Sequence, residues 1–103
     1  MSSVIVDADT HVDESDATFD KGDTRFVYRV AGIALNRGRV LLQGASGEDF
    51  WVLPGGRPAL MEDAEKALAR EMQEELGVDV CVDRLLWVVE NFFNYQDNAY
   101  HEF

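Results

Sequence analysis

The sequence predicts a single α/β domain, and three observations carry that prediction. The chain has 103 residues with 47% hydrophobic content, enough for one modest core and too few for two. Two β-branched and aromatic runs flank a short turn, and a longer apolar pattern of helical period follows them.

The first β-rich run is residues 26–35 (FVYRVAGIAL), and the second is residues 39–43 (RVLLQ). Between them Asn36-Arg37-Gly38 is an Asn-x-Gly turn, so the pair reads as a hairpin. Residues 44–49 form a polar loop, and Phe50-Trp51-Val52-Leu53 reads as a short buried strand stopped by Pro54. Trp51 has two readings, a core aromatic or a ligand contact, and the large area such a ring buries favours the core.

The helix is expected to begin after Asp63, a good N-cap, and to end at Leu76 before Gly77, which supplies the left-handed stop. Ala64, Ala67, Leu68, Met72 and Leu76 recur at helical spacing, with no proline between them. Glu71, Glu74 and Glu75 stand at i, i+3 and i+4, within an arc of roughly 100° at 3.6 residues per turn. Glu71 and Glu75 border the apolar stripe instead of lying opposite it, and crowded carboxylates beside a core are costly unless a cation compensates. Hard oxygen ligands of this kind suit Mg²⁺ or Mn²⁺. A purely solvated helix face is the competing reading, but such a face would intersperse lysines with the acids.

Composition narrows the partners. Nine basic residues against 20 acidic ones give a net charge of −11, which opposes direct nucleic-acid binding and attachment to an anionic membrane. No apolar run reaches membrane-spanning length and no leader pattern opens the chain, so a soluble, unprocessed protein is expected. Cys81, the single cysteine, fits a reducing, cytoplasmic compartment and excludes an intramolecular disulfide. Residues 7–23 are rich in Asp, Ser and Thr, with isolated apolar residues such as Val12 and Phe19. Residues 1–23 therefore read as a mobile acidic arm. Asp7, Asp9, Asp13, Glu14 and Asp16 lack the glycine and terminal glutamate of a calcium loop. His11 and His101 read as ordinary surface or strand residues.

Gly56, five residues, Glu62, seven residues, then Arg70-Glu71-Met72-Gln73-Glu74-Glu75-Leu76-Gly77-Val78 resembles the complete signature of the Nudix hydrolase family. Seven fixed identities coincide by chance at about one start in ten million. Met72 stands where the pattern prefers Ile, Leu or Val, and it fills the same kind of core position. The resemblance extends to Trp51-Val52-Leu53-Pro54-Gly55-Gly56 before the box, and to Val89-Glu90-Asn91-Phe92-Phe93 and Tyr100-His101-Glu102 after it.

The resemblance implies a Nudix-type α/β/α sandwich with a mixed sheet, formed by residues 24–103 and short at the C-terminus. It implies a nucleoside-diphosphate-containing substrate whose phosphoanhydride is hydrolysed with Mg²⁺ or Mn²⁺. Glu71, Glu74 and Glu75 would be metal ligands, with the Gly55 carbonyl as a further one. Glu74 or an acid outside the box would orient or deprotonate the water. Arg70 and Glu62 would brace the loop and helix, with Gly56 and Gly77 as structural positions of the box. The alternative is a Nudix-fold nucleotide-binding or regulatory module without turnover.

Tyr95 lies where dinucleoside-polyphosphate hydrolases of the family tend to carry a tyrosine. The NADH-pyrophosphatase motif and the ADP-ribose-hydrolase proline are not found. Phe92, Phe93 and Tyr95 are expected either to stack a base or to pack a strand, and Val82, Leu85, Leu86, Val88 and Cys81 to pack structurally. With the sheet short, an edge carrying Trp87, Phe92 and Phe93 would favour a homodimer, against the competing account of a fragment of a longer protein.

Overall fold

The computed structural model describes residues 15–44 and 46–103. The strands are β1 (Thr18–Lys21), β2 (Thr24–Val27), β3 (Val30–Ala31), β4 (Leu35–Asn36), β5 (Arg39–Val40), β6 (Gln43–Gly44), β7 (Trp51–Val52) and β8 (Gly55–Gly56). Helix α1 (Ala64–Leu76) follows, then β9 (Asn91–Tyr95) and β10 (Asn98–Glu102). The largest sheet runs β1-β2-β10-β9 and is mixed: β10 lies parallel to β2 and antiparallel to β9. Three two-stranded ladders, β3–β8, β4–β5 and β6–β7, complete the α/β architecture.

The turns follow their local chemistry. Arg37 and Gly38 both have positive φ, 54° and 76°, as a two-residue primed turn between β4 and β5 requires. Gln96 and Asp97, at 49° and 66°, make the same kind of turn between β9 and β10. Helix α1 starts where Asp63 Oδ1 accepts the Lys66 N–H at 2.8 Å. It stops at left-handed Gly77, whose N–H donates to the Gln73 carbonyl. Its Ala67 and Met72 are buried, and Leu68 packs beside Gly32 next to β3. The core further contains Val27, Tyr100, Pro54 and Pro58, with Gln43 as a buried polar member.

Three sequence expectations change. Within the supposed arm, residues 15–23 are structured. β1 pairs with β2 across a tight Gly22-Asp23 turn, Phe19 stacks on Phe26 with centroids 5.3 Å apart, and Asp20 meets Arg25 at 2.7 Å. These partners are cross-strand, so the acidic segment's own periodicity does not reveal them. Residues 1–14, including Val12, His11 and most of the calcium-like acids, lie outside the described residues.

Trp51 is not a core residue. It is 69% exposed, because its register opposite Gly44 puts its ring on the face away from buried Gln43. The buried part of that segment is Pro54-Gly55-Gly56. Residues 77–90 form no strand, and of the residues expected to pack there Cys81, Leu85, Leu86 and Val88 are exposed and Val82 is intermediate. The expected α/β class with a mixed sheet stands, with one helix among the described residues.

Candidate functional site

The site is assembled where the β8 turn meets the middle of α1. An added Cβ on Gly56 would lie 2.3 Å from Glu71 Cδ, so the carboxylate rests directly on the glycine. An added Cβ on Gly55 would lie 2.0 Å from the Val30 carbonyl oxygen, so this glycine is needed for the close approach of β3 and β8.

Arg70 organises the acids. Its Nε and Nη2 grip Glu62 at 2.7 and 2.8 Å, and Nη2 also reaches the Arg57 carbonyl at 3.2 Å. Its Nη1 donates to Glu71 at 2.9 Å and to Glu74 at 3.2 Å. Glu62 in turn accepts the Ala59 N–H at 3.0 Å, which closes the loop between the glycines and the helix. The charge-assisted fork from Arg70, followed by the Ala59 bond, holds the Glu62 carboxyl down at about 2.

Glu71 behaves oppositely. Its side chain is 12% exposed, and burial raises its pKa despite the Arg70 hydrogen bond. Desolvation therefore outweighs the single shared guanidinium nitrogen, with Glu74 and Glu75 adding repulsion. Glu74 is more than half exposed. Glu75 accepts from Gln43 Nε2 at 3.0 Å.

The expected ligands thus share one flank of α1. Glu71 and Glu74 are turned onto Arg70 and Glu75 onto Gln43, and no three acidic, histidine or cysteine side chains among the described residues converge on one point. The donor chemistry nevertheless fits a hard divalent cation: carboxylate oxygens beside a side-chain-free glycine pair, one of them buried at a cost that a cation would offset.

Three residues that sequence reasoning passed over join this region. Gln43 is the polar end of an apolar strand and reaches 32 residues along the chain to Glu75. Arg29 donates from Nη2 to the Leu53 carbonyl at 2.8 Å, and burial lowers its pKa against the raising influence of Glu102, Glu75 and Glu71. Glu102, on β10, is raised by burial with Arg29 opposing. The only signal for Arg29 is a charge inside an otherwise apolar run.

The downstream aromatics divide. Phe93 stacks on buried Tyr100 at 5.0 Å, whereas Phe92 is 67% exposed and lies against His101, which bonds Glu90 at 3.0 Å. Phe92, Phe93, Asn94 and His101 help line an open concavity of about 400 Å³. Tyr95 donates its hydroxyl to Glu48 at 3.1 Å.

The Glu62–Arg70 pair has a pH signature. Because the folded pKa of Glu62 is depressed, its stabilisation is fully present above its ordinary 4.5 and is lost as pH falls from there through about 2. Glu62→Gln should flatten the stability profile across that window, measured by urea denaturation at several pH values. Asp20, also held low by Arg25, accounts for a part that remains. An unchanged acid limb would contradict the fork.

A glycine turn carrying a buried glutamate, followed by an arginine-braced acidic helix, is the arrangement expected of a Nudix domain. The family model for the NUDIX domain matches residues 25–102, and the chain belongs to that family. It is 48% identical over 44 residues to an 8-oxo-dGTP diphosphatase of Proteus vulgaris, covering 43% of this chain and 39% of that protein. It is 41% identical over 63 residues to a MutT-like protein of Streptomyces ambofaciens, covering 60% and 41% respectively. The solution structure of the E. coli ORF135 protein superposes with a TM-score of 0.55 at 28% identity, covering 75% of this chain and 56% of that one. The chain spans about two fifths of the length of these curated relatives. Among the described residues, no helix is long and apolar enough to cross a membrane.

Proposed function

We propose that this protein hydrolyses a phosphoanhydride bond in a nucleoside diphosphate derivative, using Mg²⁺ or Mn²⁺ held by Glu71, Glu74, Glu75 and the Gly55 carbonyl. The observation that carries this reading is the largely buried Glu71 carboxylate seated on Gly56, with Glu74 and Glu75 on the same flank of α1. When bound, the cation would neutralise charge gathering on the phosphoryl oxygens and acidify its water.

The protein's own part is positional. Arg70 and Glu62 hold the loop on the helix, and Gln43 orients Glu75. Glu74, the most exposed of the three acids, or an acid outside the box would accept a proton from the attacking water. With a net charge of −11, the protein gains little attraction for an anionic substrate without a cation.

The 8-oxo-dGTP diphosphatase relative makes oxidised deoxynucleoside triphosphates the first substrates to test. A screen over these, dinucleoside polyphosphates and nucleotide sugars, with Mg²⁺ and with chelator, tests the reading. Nucleotide binding without turnover anywhere in the screen would favour the regulatory-module alternative. We further propose a homodimer in a reducing cytoplasm, its interface at the β9 edge burying exposed Trp87 and Phe92. A concentration-independent monomer in light scattering would contradict the dimer.

A further inference from the structure

We propose that Arg29 is a positioning residue for the candidate metal site, acting through the Leu53 carbonyl on the Gly55-Gly56 turn against which Glu71 lies. The inference rests on the proposed function and adds a residue outside the box to it.

Residues 29–32 hold the turn from one side by consecutive bonds. Arg29 Nη2 donates to the Leu53 carbonyl at 2.8 Å, and the Gly32 N–H donates to the Pro54 carbonyl at 2.8 Å. Val30 pairs with Gly56 and Ala31 with Gly55. Arg29 is itself fixed, since its main-chain N–H donates to the Phe103 carbonyl at 2.9 Å. The turn is closely approached on both sides. A Cβ on Gly55 would overlap the Val30 carbonyl, and a Cβ on Gly56 would overlap the Glu71 carboxylate. A shift of the Leu53 carbonyl is therefore passed to the Gly55 carbonyl and to Glu71, two of the proposed ligands.

Burying a guanidinium is costly, and Arg29 Nε is buried with no hydrogen-bond partner among the described residues. The acids Glu102, Glu75 and Glu71 oppose that cost, but burial outweighs them. Two roles then predict opposite signs. A cation acting only through its charge repels a divalent ion nearby, so its removal would tighten metal binding. A residue that positions the turn does the reverse, so its removal loosens metal binding.

The test is Mn²⁺ affinity of the full chain without substrate, read by electron paramagnetic resonance, for the unaltered protein, Arg29→Met and Arg29→Lys. Supporting partners of metal ligands are worth about 10–100-fold in affinity. Both variants are expected to bind Mn²⁺ about tenfold or more weakly, Arg29→Lys included, because an ammonium keeps the charge but loses the planar reach to Leu53. Wild-type or tighter affinity in Arg29→Met overturns the inference, as does a lowered melting temperature with unchanged affinity. If Arg29→Met does not fold, Arg29→Lys decides: weaker binding supports the inference and unchanged binding overturns it. Failure of the unaltered chain to bind Mn²⁺ overturns the proposed function and the inference together.

Discussion

Glu75→Gln and Glu74→Gln are each expected to lower kcat by about 10²–10⁴-fold, the range associated with losing a positioned charged group at the reacting centre. Folding should survive in both. The Gln43 amide can still donate to the carbonyl of a glutamine at 75, and Arg70 keeps Glu62 and Glu71 when the exposed Glu74 is neutralised. Each replacement also removes one of three mutually repelling anions, so the metal-free melting temperature should hold or rise slightly. Steady-state kinetics with Mg²⁺ and a thermal melt without metal check both halves. Wild-type turnover in both variants would mean that these acids are not the ligands.

The second large effect separates adjacent glycines. Gly55→Ala would drive a Cβ into the Val30 carbonyl, and backbone on both sides would have to move. A destabilisation of about 1–3 kcal/mol is expected, in line with overpacking of a close contact. Gly56→Ala would instead collide with the Glu71 carboxylate, the mobile end of a long side chain. That carboxylate can swing away, so the fold should persist while metal affinity and turnover fall. Urea denaturation paired with Mn²⁺ titration of both variants tests the contrast. Equal stability losses, or a Gly56→Ala variant with unchanged metal affinity, would show that Glu71 does not need its seat on the glycine.

The parts legible in the sequence are those whose determinants are local. Asp63, Gly77 and the spacing from Ala64 to Leu76 define α1 because caps and helical period act within a few residues. The Asn36-Arg37-Gly38 turn is equally local, since left-handed geometry selects its residues. The Glu62–Arg70 fork spans eight residues, two turns of box and helix, and could be expected once the family pattern was recognised.

What stayed hidden depends on partners far along the chain. Gln43 reaches Glu75 across 32 residues, and Arg29 reaches Leu53 across 24. Neither carries a local motif. β1 escaped notice because its stabilisation lies in Phe26 and Arg25 of the next strand. Hydrophobicity misled in the other direction at Trp51 and at Leu85, Leu86 and Val88. Apolar character there does not say which face a residue occupies, and all four are exposed.

If the α1 carboxylates support metal-dependent hydrolysis, the reaction must need both the cation and the acids. Its most direct measurement is nucleoside monophosphate release from an oxidised deoxynucleoside triphosphate as Mg²⁺ is titrated, for the unaltered chain beside Glu75→Gln. Saturable Mg²⁺-dependent release is expected, abolished by chelator and nearly absent in Glu75→Gln. Release that persists in chelator, or that is equal in the two proteins, would contradict it.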